Sequence, residues 1–186
     1  MMHRFIHVGR AAVAAIAFFT VSTSAGAQTP SKVLVAAGRQ NEGTAVFGTI
    51  TCLNGTPLSD PKGPPCSPGT TRFLMSYTVR TCNFIELSGS AAPLFEDATI
   101  KNVVHCNTDG NYYGHCWGHS VITVPKAGGQ WEGAWSGKWD MLMNISSWTS
   151  TLYGYGGKLE GLQAQIEGAS TTPGQPFVVI LKVNGR

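Results

Sequence analysis

The chain has 186 residues, 42% hydrophobic and 12% charged, with 13 basic against 10 acidic side chains, five histidines and five cysteines. Its lysines and arginines are scattered singly, so no cluster faces a run of phosphates, and the composition excludes a nucleic-acid role. The length suits one domain around one core.

The first segment reads as a secretory signal peptide. Arg4 and Arg10 lie in the opening stretch, Ala11 to Val21 is apolar, and Ala25-Gly26-Ala27 offers small residues at a cleavage point. The apolar run is shorter than the ~20 residues that a membrane-crossing helix needs. Residues 1–27 are therefore expected to be removed, leaving 28–186 as a single domain in the periplasm or outside the cell, with no membrane attachment after cleavage. That remainder holds 159 residues, with 11 basic against 10 acidic. In an oxidising compartment its cysteines, Cys52, Cys66, Cys82, Cys106 and Cys116, are expected to pair, with one thiol left over.

Ser31 to Ala37 (SKVLVAA) and Gly43 to Cys52 (GTAVFGTITC) are β-branched runs on either side of the polar RQNE, and both read as strands. Leu53 to Pro65 is broken by four prolines and two glycines into an irregular loop. A Cys52–Cys66 disulfide is expected to close it, spanning about 15 residues and contributing roughly 3 kcal/mol by chain entropy. From Thr71 to Cys82, Phe73, Met75, Tyr77 and Val79 share one parity, which makes an amphipathic strand that Phe84 to Leu87 extends and Ser88 to Pro93 ends. Ala98 to His105, Tyr112 to Val124, Ser147 to Tyr155, Lys158 to Glu167 and Phe177 to Val183 follow as further strands. No segment keeps helical spacing over three turns.

The clearest period lies in Trp131 to Asp140, where Trp131, Trp135 and Trp139 alternate with Glu132, Ser136, Lys138 and Asp140, and Met141 and Met143 continue the odd parity. That is the two-residue alternation of a half-buried strand. All three tryptophans are expected to point inward. With about eight to ten short strands and tight connections, the fold class is all-β, and hiding the sheet edges favours a closed antiparallel up-and-down barrel of about eight strands.

Tyr153-Gly154-Tyr155-Gly156-Gly157-Lys158-Leu159-Glu160-Gly161-Leu162, preceded by Gly133-Ala134-Trp135-Ser136-Gly137, resembles the closing hairpins of allene oxide cyclase-like and dirigent-like barrels. Both are calycin-type barrels of eight strands. The shared pattern is Gly-x-Gly, an aromatic or aliphatic residue, x, Gly and a hydrophobic residue, and it covers about a quarter of the chain. The resemblance implies an apolar cavity that in some relatives guides cyclisation or coupling of a fatty-acid-like or phenolic molecule without a cofactor. The acidic strand motif of the plant cyclases has no counterpart here, so no catalytic residue is carried over. The glycines also have a purely physical account, since they allow bulges and tight coiling in a small barrel.

An eight-stranded barrel is just wide enough to be filled by side chains or to hold one small ligand, so Tyr77, Trp131, Trp135, Trp139 and Met141 are either core or cavity lining. The number of indole N–H groups on one strand, each needing a partner when buried, speaks for the cavity. His105-Cys106 and His115-Cys116-Trp117-Gly118-His119 suggest metal ligands by composition. On a strand, however, His115 and His119 lie roughly 13 Å apart, and no metal site is assigned. Cys106 and Cys116 are expected instead to bond across a hairpin whose turn is centred on Asn111 and has three or five residues. Cys82 then stays a thiol, with Cys82–Cys106 as the alternative pairing.

No Gly-x-Ser-x-Gly, His-Glu-x-x-His or phosphate-binding loop occurs. His115 is the one weak candidate for acid-base catalysis in a cavity. The function expected is an exported barrel that binds a small hydrophobic or aromatic ligand, with no cofactor. A cofactor-independent cyclase, isomerase or lyase using the same cavity stands as the alternative, and a purely structural exported protein as a third reading. Self-association into a homo-oligomer is left open.

Overall fold

Nine antiparallel strands make up most of the computed structural model, which describes residues 32–41, 43–54, 72–140, 145–170 and 175–185. They are β1 (Val33–Gln40), β2 (Thr44–Leu53), β3 (Arg72–Gly89), β4 (Thr99–Asp109), β5 (Tyr113–Val124), β6 (Gly129–Asp140), β7 (Ile145–Tyr155), β8 (Gln163–Ser170) and β9 (Phe177–Asn184). Three short 3-10 turns, Ala92–Leu94, Pro125–Ala127 and Gly157–Leu159, lie between strands, and the described residues contain no α-helix.

From β3 to β9 each strand pairs with the next in sequence. β1 then pairs with β9 on one side and with the far end of β3 on the other, so β1 and β3 to β9 form a ring of eight strands. β2 runs on from β1 along the first half of β3, pairing Thr44 with Arg80 and Leu53 with Arg72. The expected all-β, up-and-down antiparallel order is thus present. The ring also removes most of the unpaired edge that an open sheet of this size would expose.

β3 is one strand of 18 residues that includes the expected extension at Phe84 to Leu87. Its inward side chains are Met75 and Tyr77, then Cys82, then Leu87, so parity switches twice. Each switch falls at a residue with positive φ, Thr81 at 60° and Glu86 at 55°. The register with β4 slips between Val79 and Cys82, and the register with β1 slips between Ala37 and Arg39. Both are bulges, in which an extra residue bends the strand and turns its following side chains to the other face. The expected strand Lys158 to Glu167 is shorter in the structure. Gly157–Leu159 is a 3-10 turn, and β8 starts at Gln163, because Gly156, Gly157 and Gly161 take positive φ and Gly161 N–H bonds back to Gly154.

The β4–β5 connection has three residues, Gly110 to Tyr112, and pairs Thr108 with Gly114, which centres it on Asn111 as expected. The Asp109 carboxylate accepts hydrogen bonds from the backbone N–H groups of Asn111 and Tyr113 at 2.8 and 3.1 Å, and Tyr112 takes the left-handed conformation that such a loop requires. This register places Cys106 opposite Cys116 on the inner face, and they form a disulfide. Cys82 is a buried thiol. Cys52 is disulfide-bonded, while the expected partner, Cys66, lies outside the described residues.

Candidate functional site

The inner face of β6 alternates large and empty positions, Trp131, Gly133, Trp135, Gly137 and Trp139. Across the sheet, Trp135 faces Gly118 of β5 and Ser150 of β7, and Trp139 faces Gly114 and Ser146. Large rings on one strand are accommodated by small residues on both neighbours. The reverse holds for Trp148 on β7. A Cβ at Gly137 would come within 2.7 Å of the Trp148 Cβ, and one at Gly168 on β8 would collide with its indole.

One end of the ring is solid. The Pro125–Ala127 turn touches both other 3-10 turns there, and Phe95, Leu159 and Trp131 are fully buried. Trp131 stacks on Phe95 with ring centres 5.1 Å apart and donates from Nε1 to the Leu94 carbonyl at 3.0 Å. Toward the other end, a second cluster joins the Cys106–Cys116 bridge to Met75, Tyr77, Val104 and Trp135. Burial in this cluster pushes the Tyr77 hydroxyl up to about 12.

Between the two clusters the interior is not filled. A cavity bounded by Phe84, Trp135, Trp139, Trp148 and Phe177 leaves about 50 Å³ open to the centre of a water-sized sphere. Adding back the water radius turns a compact space of that size into roughly 200 Å³ of molecular volume. That is room for a few waters or a single-ring molecule.

The three expected tryptophans all point inward, and the structure divides their roles. Trp131 is core, with its indole N–H satisfied, whereas Trp135 and Trp139 line the cavity. Tyr77 packs beside the disulfide and is not among the described lining residues, and Met141 lies outside the described residues. Sequence reasoning missed Trp148, Ser150, Asn102 and Gln40, which also line the space. Their signal was present in the register, since small residues on β7 sit opposite large ones on β6.

The polar atoms in this interior are unequal in their partners. The Ser120 hydroxyl donates to Asn102 Oδ1 at 2.6 Å. Trp135 Nε1 and Ser150 Oγ are both buried and have no hydrogen-bond partner among the described residues, and Ser146 Oγ and Thr108 Oγ1 share that state nearby. All four atoms are shielded from contact by a water-sized sphere. The ionisable group among the described lining residues is the Cys82 thiol, which burial pushes up to about 11.

His115 does not face this space. Odd-numbered residues of β5 point outward, so His115, Trp117 and His119 lie on the outer surface. His115 stacks on Trp117 at 5.7 Å, and His119 Nε2 lies 2.9 Å from the Glu132 carboxylate. An acid-base role for His115 inside the ring is thereby corrected, because strand parity puts it on the far side of the sheet. Among the described residues no three His, Cys, Asp or Glu side chains gather as a metal site would require. Comparison of the chain with protein-family models, curated proteins and solved structures finds no match.

Proposed function

We propose that this chain is an exported, closed up-and-down β-barrel of the calycin type, akin to allene oxide cyclase-like and dirigent-like barrels, that binds one small apolar or aromatic molecule in its interior. The observation that carries the reading is the unfilled space between the two core clusters, walled by Trp135, Trp139, Trp148, Phe84 and Phe177. A core packed for stability alone leaves few voids larger than a water. Here a ring of large aromatics surrounds one. The eight-membered strand ring supports the closed barrel, and the signal-like opening together with the Cys106–Cys116 bridge supports export.

Binding is favoured over catalysis by the lining itself. At neutral pH a thiol held near 11 is neither a base nor a nucleophile. The described lining offers no carboxylate or imidazole for proton transfer.

Titration with 4-nitrotoluene, a small aromatic that quenches indole emission, tests the proposal. Quenching should saturate at one molecule per chain, and Trp148→Ala should change the affinity by removing one wall. Linear, non-saturating quenching, equal to that of free tryptophan, would sink it.

A further inference from the structure

Gln40 ends β1 on the inner face of the ring, directly opposite Phe177 of β9 on one side and Phe84 of β3 on the other, and all three residues line the cavity. It is 5% exposed, yet its carboxamide has no hydrogen-bond partner among the described residues and is not one of the polar groups shielded from a water-sized sphere. We infer that the cavity selects an uncharged single-ring molecule with an amide edge, an N–H and a C=O side by side as in a primary carboxamide or a lactam, and that Gln40 reads that edge. This inference rests on the cavity-binding reading above and narrows its ligand class.

The chemistry of the glutamine side chain sets the class. A carboxamide presents one acceptor oxygen beside an NH2 donor, so a guest that offers only one kind of group leaves the other atom unpaired. A guest amide supplies both in two parallel hydrogen bonds, whichever way round the glutamine oxygen and nitrogen are placed. Water is a poor substitute. A buried water typically makes about three hydrogen bonds, and the side chains of Phe84 and Phe177 on either side of Gln40 offer none. The other polar pair of the lining, Ser120 and Asn102, is already joined to itself, so it competes little for the same guest.

The neighbours of Gln40 set the rest of the guest. Phe177 meets Trp139 edge to face with ring centres 5.8 Å apart, so a molecule held at Gln40 lays its body against aromatic side chains, which suits a ring. Asp, Glu, Lys, Arg and His are absent from the described lining, and a charged guest would lose its hydration and meet no counter-charge. A carboxylate fails for a second reason, because it has no hydrogen to give the Gln40 oxygen.

Fluorine NMR titration of the exported protein with 4-fluorobenzamide, 4-fluoroacetophenone, 4-fluorotoluene and 4-fluorobenzoate tests this. Amide and ketone have nearly the same shape, and the ketone carries a methyl group where the amide carries its donor. The wild type should bind the amide roughly three- to ten-fold more tightly than the ketone, the range expected for one further hydrogen bond in a closed site. The carboxylate should bind more weakly than either. Gln40→Met keeps the length of the side chain and removes both polar atoms, so it should abolish the amide's advantage while leaving 4-fluorotoluene bound as before. Hydration of the free probes is common to both proteins and cancels in that comparison. If Gln40→Met fails to fold, the wild-type preference between amide and ketone decides alone. A ketone bound as tightly as the amide, a preference for the carboxylate, or an amide advantage that persists in Gln40→Met would overturn the inference and leave the cavity reading intact. Binding of none of the four would bring down both.

Discussion

Trp135 and Gly118 face each other across β6 and β5, and a Cβ placed on Gly118 would stand 3.0 Å from Trp135 Nε1 and collide with the Val103 carbonyl. The indole can lie flat over β5 because that position has no side chain. Gly118→Ala should therefore cost about 1 to 3 kcal/mol, the usual range for overpacking a tight interior. It should also displace Trp135, shifting the indole emission and weakening 4-nitrotoluene binding. Gly185→Ala is the control, since a Cβ there meets nothing within 4 Å. Equal urea midpoints for the two variants would show that the contact carries no strain.

The division between core and lining tryptophans makes a second demand. Trp131→Ala removes a fully buried ring that stacks on Phe95 and donates to Leu94, and should cost about 3 to 5 kcal/mol. Trp131→Phe keeps a ring against Phe95 but strands the Leu94 carbonyl, and should cost less. In the folded Phe variant the saturable quenching by 4-nitrotoluene should persist, because Trp135 and Trp139 are untouched. Loss of quenching without loss of folding would move Trp131 into the binding wall.

The sequence carries the inner face of β6 openly, because WEGAWSGKW alternates without interruption and its polar partners point out. The Cys106–Cys116 bridge was equally readable, since strand parity allows it only with a turn centred on Asn111. β3 was harder. Its bulges at Thr81 and Glu86 reverse the parity, and neither residue announces a positive φ by type. β7 was obscured for another reason: its inward residues Ser146 and Ser150 are polar, so hydropathy points them the wrong way and hides Trp148 between them. Their placement depends on Trp139 and Trp135 across the sheet, a relation that exists only once the register is formed. The closure of β1 on β3 is likewise a long-range pairing that no local pattern encodes.

Thiol chemistry checks the covalent frame. Denatured but unreduced protein should show one thiol per chain, at Cys82, since Cys52, Cys106 and Cys116 are disulfide-bonded. Five thiols would remove the bridges and the support they lend to export. Replacing Cys106 and Cys116 together by serine should cost about 3 kcal/mol by chain entropy for a bridge with a sequence separation of 10. A urea midpoint unchanged by the double substitution would show that the hairpin is held without the bond.

Alkaline pH should expose the buried thiol in the stability curve. Cys82 is raised by burial from 9.0 to about 11, so between those values the unfolded chain gives up its proton while the folded chain keeps it. The unfolded state then binds fewer protons, and stability falls as pH rises. Below about pH 8 this contribution is flat. From pH 8 to 10.5 it should remove about 2 kcal/mol, the slope rising toward 1.36 kcal/mol per pH unit once the unfolded thiol is ionised. Tyr77, raised from 10.0 to about 12, adds a similar loss starting about one unit higher. Urea midpoints at pH 8 and pH 10.5 measure the fall. Cys82→Ala starts from a lower midpoint because it empties a buried position, yet its fall between the two pH values should be smaller than the wild type's. An equal fall in both proteins would mean that Cys82 titrates at its ordinary value in the folded state, and that the interior is wetter around it than its burial implies.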